Sequence, residues 1–281
     1  MQQCILFLAA MAAPLARAIL APNVDGMKIV WSESFSGCAG CAPSSDEWNV
    51  ALDVNTNNEI QDYSTSNANI QLSGGDTVQL VPLKDEAGRW TSGRIETVQS
   101  FTPQPGKRML FQGELRVGSN AHKQGIWPAF WMLGNSIREG TEWPLCGELD
   151  IYEQVNGDME AHGTLHCGEF PGGVCNEPTG IAKTTSIPDN EFHTWSIAVD
   201  RTSNNWQTET ITWLSDGNPY HVLTGAELGD EGVWATLAHS PMYLLLNVAV
   251  GGDWPGPPND ETEDSWGSML EVSYVGVYET A

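Results

Sequence analysis

Short stretches of alternating polarity, set between clusters of turn residues, recur along this chain and constrain its fold more than any other feature. Apolar and polar positions largely alternate in Val78-Gln-Leu-Val81, Ser92-Gly-Arg-Ile-Glu-Thr97, Thr194-Trp-Ser-Ile-Ala-Val199 and Glu271-Val-Ser-Tyr-Val-Gly-Val-Tyr278. A period of two belongs to strands with one buried face, and no stretch carries the 3.6-residue period of a long amphipathic helix. Ile211 to Leu214 and Tyr220 to Leu223 flank Ser215-Asp-Gly-Asn218, whose Asp-Gly predicts a hairpin turn. Many short strands at even spacing predict an all-β protein, a two-sheet antiparallel sandwich or jelly roll. No Pro/Ser/Thr-rich linker, charge run or repeat divides residues 19–281, which are read as a single domain.

The N-terminus is set apart from that domain. Cys4 to Ala13 is wholly apolar and Ala16-Arg17-Ala18 offers a small-x-small cleavage site, so residues 1–18 are expected to be a signal peptide. Ten apolar residues are too few to cross ~30 Å of hydrocarbon. A secreted, extracellular protein is therefore expected, free or associated with a cell wall. Twelve Lys and Arg against 36 Asp and Glu give a net charge of -24, which repels nucleic acid and anionic membrane surfaces and leaves neutral polysaccharides open as partners. Five cysteines follow residue 18, and an odd number leaves one unpaired. Cys167 and Cys175 bracket a turn-rich loop and are the expected pair. Cys38 and Cys41 form a small bridge of their own, or one of them pairs with Cys146.

Trp143-Pro-Leu-Cys-Gly-Glu-Leu-Asp-Ile-Tyr-Glu-Gln154 is the segment that carries chemistry. On a strand Glu148 and Asp150 share a face, about 7 Å apart, with no basic residue in the segment to neutralise them. Strict alternation sends Glu153 to the opposite face. One extra residue, a β-bulge at Ile151 and Tyr152, returns it. Convergent carboxylates serve cation binding or glycosidic cleavage, and calcium loops interleave their ligands with Asn, Asp and Gly rather than with Leu, Ile and Tyr. Cleavage fits better, since retaining hydrolysis uses two carboxyls ~5.5 Å apart and a third nearby tunes them. Trp127 and Trp131 share a strand face about 13 Å apart, a span that two or three sugar rings can bridge. Trp31, Trp195 and Trp213 lie in apolar strands and are assigned to the core. His162-Gly-Thr-Leu-His166 lacks a third ligand for a metal, so His166 is read as a hydrogen-bonding group near the site. Arg94 shares its face with Glu96, which makes an internal ion pair and a sugar contact equal readings. Asn57-Asn58-Glu59, judged alone, is loop capping.

Together Glu148-Leu-Asp-Ile-Tyr-Glu153, Gly125-Ile-Trp-Pro-Ala-Phe-Trp-Met-Leu-Gly134 and Leu246-Asn-Val-Ala-Val-Gly-Gly252 resemble glycoside hydrolase family 16, specifically its secreted fungal laminarinase-like members. The resemblance runs from about Trp31 to Tyr278. It implies a concanavalin-like β-jelly roll with a concave carbohydrate groove; a monomer without cofactor or catalytic metal is expected. The implied activity is retaining hydrolysis of β-1,3- or mixed β-1,3/1,4-glucan, with a wall transglycosylase or a non-catalytic glucan-binding lectin as alternatives. By the same resemblance Glu148 is the nucleophile, Glu153 the general acid/base and Asp150 the carboxylate between them. Trp127 and Trp131 match sugar platforms, and Asn58, Arg94 and His166 match substrate contacts. Relatives that cut β-1,4 bonds in mixed-linkage glucan use a shorter Glu-x-Asp-x-Glu, so the longer spacing points to the laminarinase type. Ser34 and Ser273 stand where such relatives place acidic ligands of a convex-side calcium, so that site is expected to be missing or rebuilt. Gly276 stands where Arg is usual.

Overall fold

The computed structural model describes residues 20–54 and 56–281. The expected signal peptide lies outside them. Among the described residues no helix is long and apolar enough to cross a membrane.

Two antiparallel sheets face each other. The convex sheet has eight strands, with His193–Asp200, Arg108–Val117 and Leu270–Thr280 at its centre and Met27–Glu33 paired against Leu270–Thr280. The concave sheet has seven, in the order Ile181–Ser186, Glu160–His166, Glu148–Glu153, Ile126–Gly134, Met242–Val250, Arg94–Thr97 and Trp48–Val50. Alternation decides what goes between them. Trp195 and Ile197 from one sheet and Phe130, Met132 and Leu149 from the other are buried in one continuous core. Burying each such side chain stabilises the fold by about 1.5–3 kcal/mol relative to exposure. Trp195 and Trp213 are fully buried as expected, whereas Trp31 sits at the core margin and donates to Glu47 at 2.7 Å.

The Asp-Gly hairpin forms as the sequence predicts. Asp216 and Gly217 both adopt positive φ, 47° and 75°, which matches the twist of the strands they join. Ser92 to Thr97 does not form one strand. Ser92 closes the strand Trp90–Ser92 of a small third sheet, and Arg94–Thr97 belongs to the concave sheet. Gly93 makes the crossing, because a Cβ there would meet Ile70 and the Asn69 carbonyl oxygen at 2.7 and 2.8 Å.

Cys38 bridges Cys41, Cys167 bridges Cys175, and Cys146 is free and buried. Neither cysteine of the Cys38–Cys41 turn reaches Cys146. On the convex sheet, the Ser273 hydroxyl bonds the Glu114 carboxylate at 2.5 Å, and the Ser34 amide donates to Glu33 at 2.8 Å.

Candidate active site

The acidic strand carries the expected bulge. Asp150 pairs with Thr164 and Glu153 with His162, so Ile151 and Tyr152 together oppose the single residue Gly163. Against the other neighbour, Asp150 and Tyr152 face the consecutive Trp131 and Phe130. Ile151 and Tyr152 both turn into the core. A bulge leaves backbone groups without ladder partners. The Asp150 carbonyl oxygen finds its partner across the core, accepting from Trp213 Nε1 at 2.7 Å. Gly163 gives the indole room, since a Cβ there would come within 2.5 Å of the Trp213 ring.

The bulge brings Glu148, Asp150 and Glu153 to the concave face. Asp150 and Glu153 are buried and Glu148 is half-buried. Glu153 Oε1 accepts from Trp127 Nε1 at 2.9 Å, and Glu148 Oε2 accepts from Trp143 Nε1 at 3.1 Å. His166 stands beside them: one donor or acceptor atom each of Glu148, Asp150 and His166 all lie within 4.8 Å of one another. Its Nε2 faces Asp150 Oδ2 at 3.7 Å and its Nδ1 bonds Glu177 Oε2 at 2.7 Å. Asp150 Oδ2 is buried without a hydrogen-bond partner.

Burial raises all three acids, and the groups that add to it or oppose it differ from one to the next. Burial pushes Glu153 up to about 7, with the Glu148 charge adding to it and the Trp127 N–H and His166 opposing it. Asp150 is held well above the usual carboxylate range, first by burial and then by the charges of Glu153, Glu148 and Glu177. Burial raises Glu148 as well, but His166, the Trp143 N–H and Arg94 all favour its ionised form. His166 is itself raised: burial pulls it down, and Glu177, Glu148 and Glu153 outweigh that pull. A protonated His166 gives the cluster its own cation.

The remaining sequence candidates divide. Trp127 and Trp131 share the concave face, yet both indole N–H groups are engaged, Trp127 with Glu153 and Trp131 with Asn247 at 2.7 Å. Arg94 lies over the Trp131 ring at 4.9 Å and so covers one of its faces. Arg94 does not form the ion pair with Glu96, which bonds Arg138 at 3.0 Å instead. Asn58 is exposed with φ 56°, donating to Asp253 Oδ1 at 2.8 Å, next to Trp254. Its neighbour Glu59 is buried and accepts from Gln61 and Tyr63, whose hydroxyl accepts from Asn247 beneath Trp131.

Four groups went unrecognised as site residues in the sequence. Trp143 bonds Glu148, and its ring centroid lies 5.6 Å from His166 and 6.1 Å from the exposed Phe170. At the opposite end of the acidic strand Trp254, 44% exposed, packs edge-on to Trp127 and His162 at 5.3 and 4.8 Å. A cleft of about 600 Å³ opens there beyond Glu153, between Trp254, His162, Asp158 and Glu160. Glu177 was hidden in a turn-rich loop. The groove thus runs from an aromatic ledge near Glu148 to a second one near Glu153.

Comparison with known proteins agrees with this geometry. The sequence profile of Glycosyl hydrolases family 16 matches residues 51–267. The chain belongs to glycosyl hydrolase family 16. The crystal structure of an endo-1,3-beta-glucanase from Streptomyces sioyaensis superposes with a TM-score of 0.87 at 33% identity, covering 93% of this chain and 99% of that one. A beta-glucanase from Rhodothermus marinus is 30% identical over 89% of this chain and 85% of its own length. Glucan endo-1,3-beta-glucosidase A1 from Niallia circulans is 26% identical over 92% of this chain, which spans only 38% of that larger protein.

Proposed function

We propose that the protein is an endo-β-1,3(4)-glucanase of the laminarinase type that hydrolyses with retention, as this family does. Glu148 attacks the anomeric carbon and forms a glycosyl-enzyme, while Glu153 protonates the departing oxygen and then activates water. Asp150 holds charge and proton between them. The observation that carries this reading is the placement of the two glutamates on one face: Glu153 accepts from Trp127 and is raised by burial to about 7, so it keeps a proton to donate, while Glu148 accepts from Trp143 and faces His166 and Arg94, which favour its ionised form. The groove ledges Trp143 with Phe170 and Trp127 with Trp254 supply aromatic faces and edges along the chain of sugars.

Release of reducing sugar from laminarin, lichenan and β-1,3-galactan tests it. Laminarin is expected to be cut fastest. Binding to laminarin without release from any of the three would turn the reading to a glucan lectin. Transfer of glucan to an acceptor in place of water would turn it to a transglycosylase. Secretion belongs to the same proposal: the two disulfides suit an oxidising compartment. Mature protein collected from the medium is expected to begin at Ile19 and to run as a monomer.

A further inference from the structure

Glu177 is a fourth carboxylate at the site, and the hydrolysis described above assigns it no step. Its side chain is fully buried, which costs free energy unless the charge is paired. The pairing is specific. Oε1 accepts from the Cys167 amide at 2.8 Å, and Oε2 meets His166 Nδ1 at 2.7 Å. The loop that brings it back is closed by the Cys167–Cys175 bridge and by reciprocal backbone bonds between Gly172 and Glu177 at 2.8 and 2.7 Å. Cys167 therefore anchors the loop twice, through its sulfur and through its amide.

This arrangement fixes the imidazole. With Nδ1 committed to Glu177, the opposite nitrogen, Nε2, points at Asp150 Oδ2, the buried oxygen that lacks any other partner. Gly180, at φ 71°, packs under the ring, where a Cβ would meet His166 Cε1 at 2.8 Å. Around His166 stand Glu177 from the loop, Glu148, Asp150 and Glu153 from the neighbouring strand, and the uncharged Trp143 ring. Every charged neighbour is a carboxylate.

We propose that Glu177 is a positioning residue: held by the disulfide-closed loop, it fixes the His166 ring through Nδ1, so that Nε2 faces the unpartnered Asp150 Oδ2 and an imidazolium stands beside Glu148. This rests on the glucanase reading above. Glu177 acts through His166 and touches no reacting atom. Glu177→Gln removes its charge and its capacity to accept from both donors at once.

The test uses the intact, disulfide-bonded protein and follows the His166 ring by nuclear magnetic resonance, assigned by the signal lost in His166→Gln. Glu177→Gln is expected to lower the His166 titration midpoint by about one unit or more, because a partnered carboxylate favours the charged imidazole. On laminarin, kcat is expected to fall about tenfold with KM changed by less than about twofold, and Glu177→Asp to recover part of both midpoint and rate. In a His166→Gln background, Glu177→Gln should cost no further kcat. An unmoved midpoint, or a kcat loss that persists in full without His166, overturns the proposal. So does a lower melting temperature with kcat per folded molecule intact. If the wild-type protein releases no sugar at all, the glucanase reading fails, and the titration alone still decides whether Glu177 holds His166.

Discussion

Glu209 and Asp150 are equally buried, at 3% exposure each, and end with opposite proton affinities. Glu209 accepts from Arg201 Nε at 3.2 Å and Trp234 Nε1 at 2.9 Å, and pairs with His239 Nε2 at 2.5 Å. Burial pushes it up, but the bonds from His239, Trp234 and Arg201 outweigh burial and hold it below the usual carboxylate range. In the groove, three acids share His166, with Arg94 acting on Glu148 alone, and all three are pushed up. The chain therefore has the means to satisfy a buried carboxylate and supplies fewer of them at the groove, where Glu148 and Glu153 each accept one indole N–H and Asp150 Oδ2 has no partner. That scarcity keeps a proton on Glu153, which is what acid catalysis requires and what stability alone would disfavour.

The largest effect that tests this contrast is on rate. Glu148→Ala and Glu153→Ala are each expected to lower kcat on laminarin by about 10³-fold or more, whereas Glu209→Ala leaves kcat per folded molecule unchanged. The stability ranking reverses. Glu209→Ala strands Arg201 and should cost about 3–5 kcal/mol in urea unfolding, and a loss under 1 kcal/mol would break the comparison.

Glu153→Gln sharpens it through pH. The folded value of Glu153, about 7, lies above its ordinary 4.5, so folding takes up a proton between those values. Its carboxyl therefore costs nothing at pH 4, and the cost grows as pH rises through 7 to about 3 kcal/mol. Glu153→Gln should accordingly raise stability at pH 8 and leave it unchanged at pH 4. Glu209 has the opposite sign: its contribution is present above its unfolded pKa and is lost as pH falls through the lower folded one. Parallel stability curves for Glu153→Gln and wild type would contradict this.

Two smaller changes probe the frame around the acids. Trp213→Phe keeps the core filled and leaves the Asp150 carbonyl without a donor, for a loss of about 1–3 kcal/mol together with reduced kcat. Trp127→Phe removes the donor that favours ionised Glu153, so the alkaline limb of the kcat/KM profile should move to higher pH, with a change of about threefold at the optimum. An alkaline limb that stays in place would return Trp127 to a purely packing role.

Legibility in the sequence followed the range of the interactions. Period-two alternation revealed the strands, and the one violation of that period in Glu148 to Glu153 revealed the bulge, because both are local. Cys167 and Cys175 were legible for the same reason. For Arg94 the sequence leaves an ion pair with its near neighbour Glu96 and a sugar contact as equal readings, but Arg138, from the short helix Asn135–Glu139, takes Glu96. That competition is invisible along the chain. Trp143, Trp254 and Glu177 sit outside any periodic segment, and only the fold brings them against Glu148, Trp127 and His166. Trp213 was correctly placed in the core, while its bond to the Asp150 carbonyl depends on the facing of two sheets, which no local pattern encodes.

The roles of Glu148 and Glu153 are separated most directly by azide rescue of the two alanine variants on an activated β-aryl glucoside of laminaribiose. In Glu148→Ala the vacated space admits azide to the anomeric carbon while Glu153 still serves the leaving group, so a single inversion should give the α-glycosyl azide. In Glu153→Ala the leaving group needs no proton, the glycosyl-enzyme forms on Glu148, and azide displaces it to give the β-glycosyl azide. Magnetic resonance of the products reads the anomeric configuration. An α product from Glu148→Ala with a β product from Glu153→Ala is the predicted result, and the reverse pair would contradict the assignment.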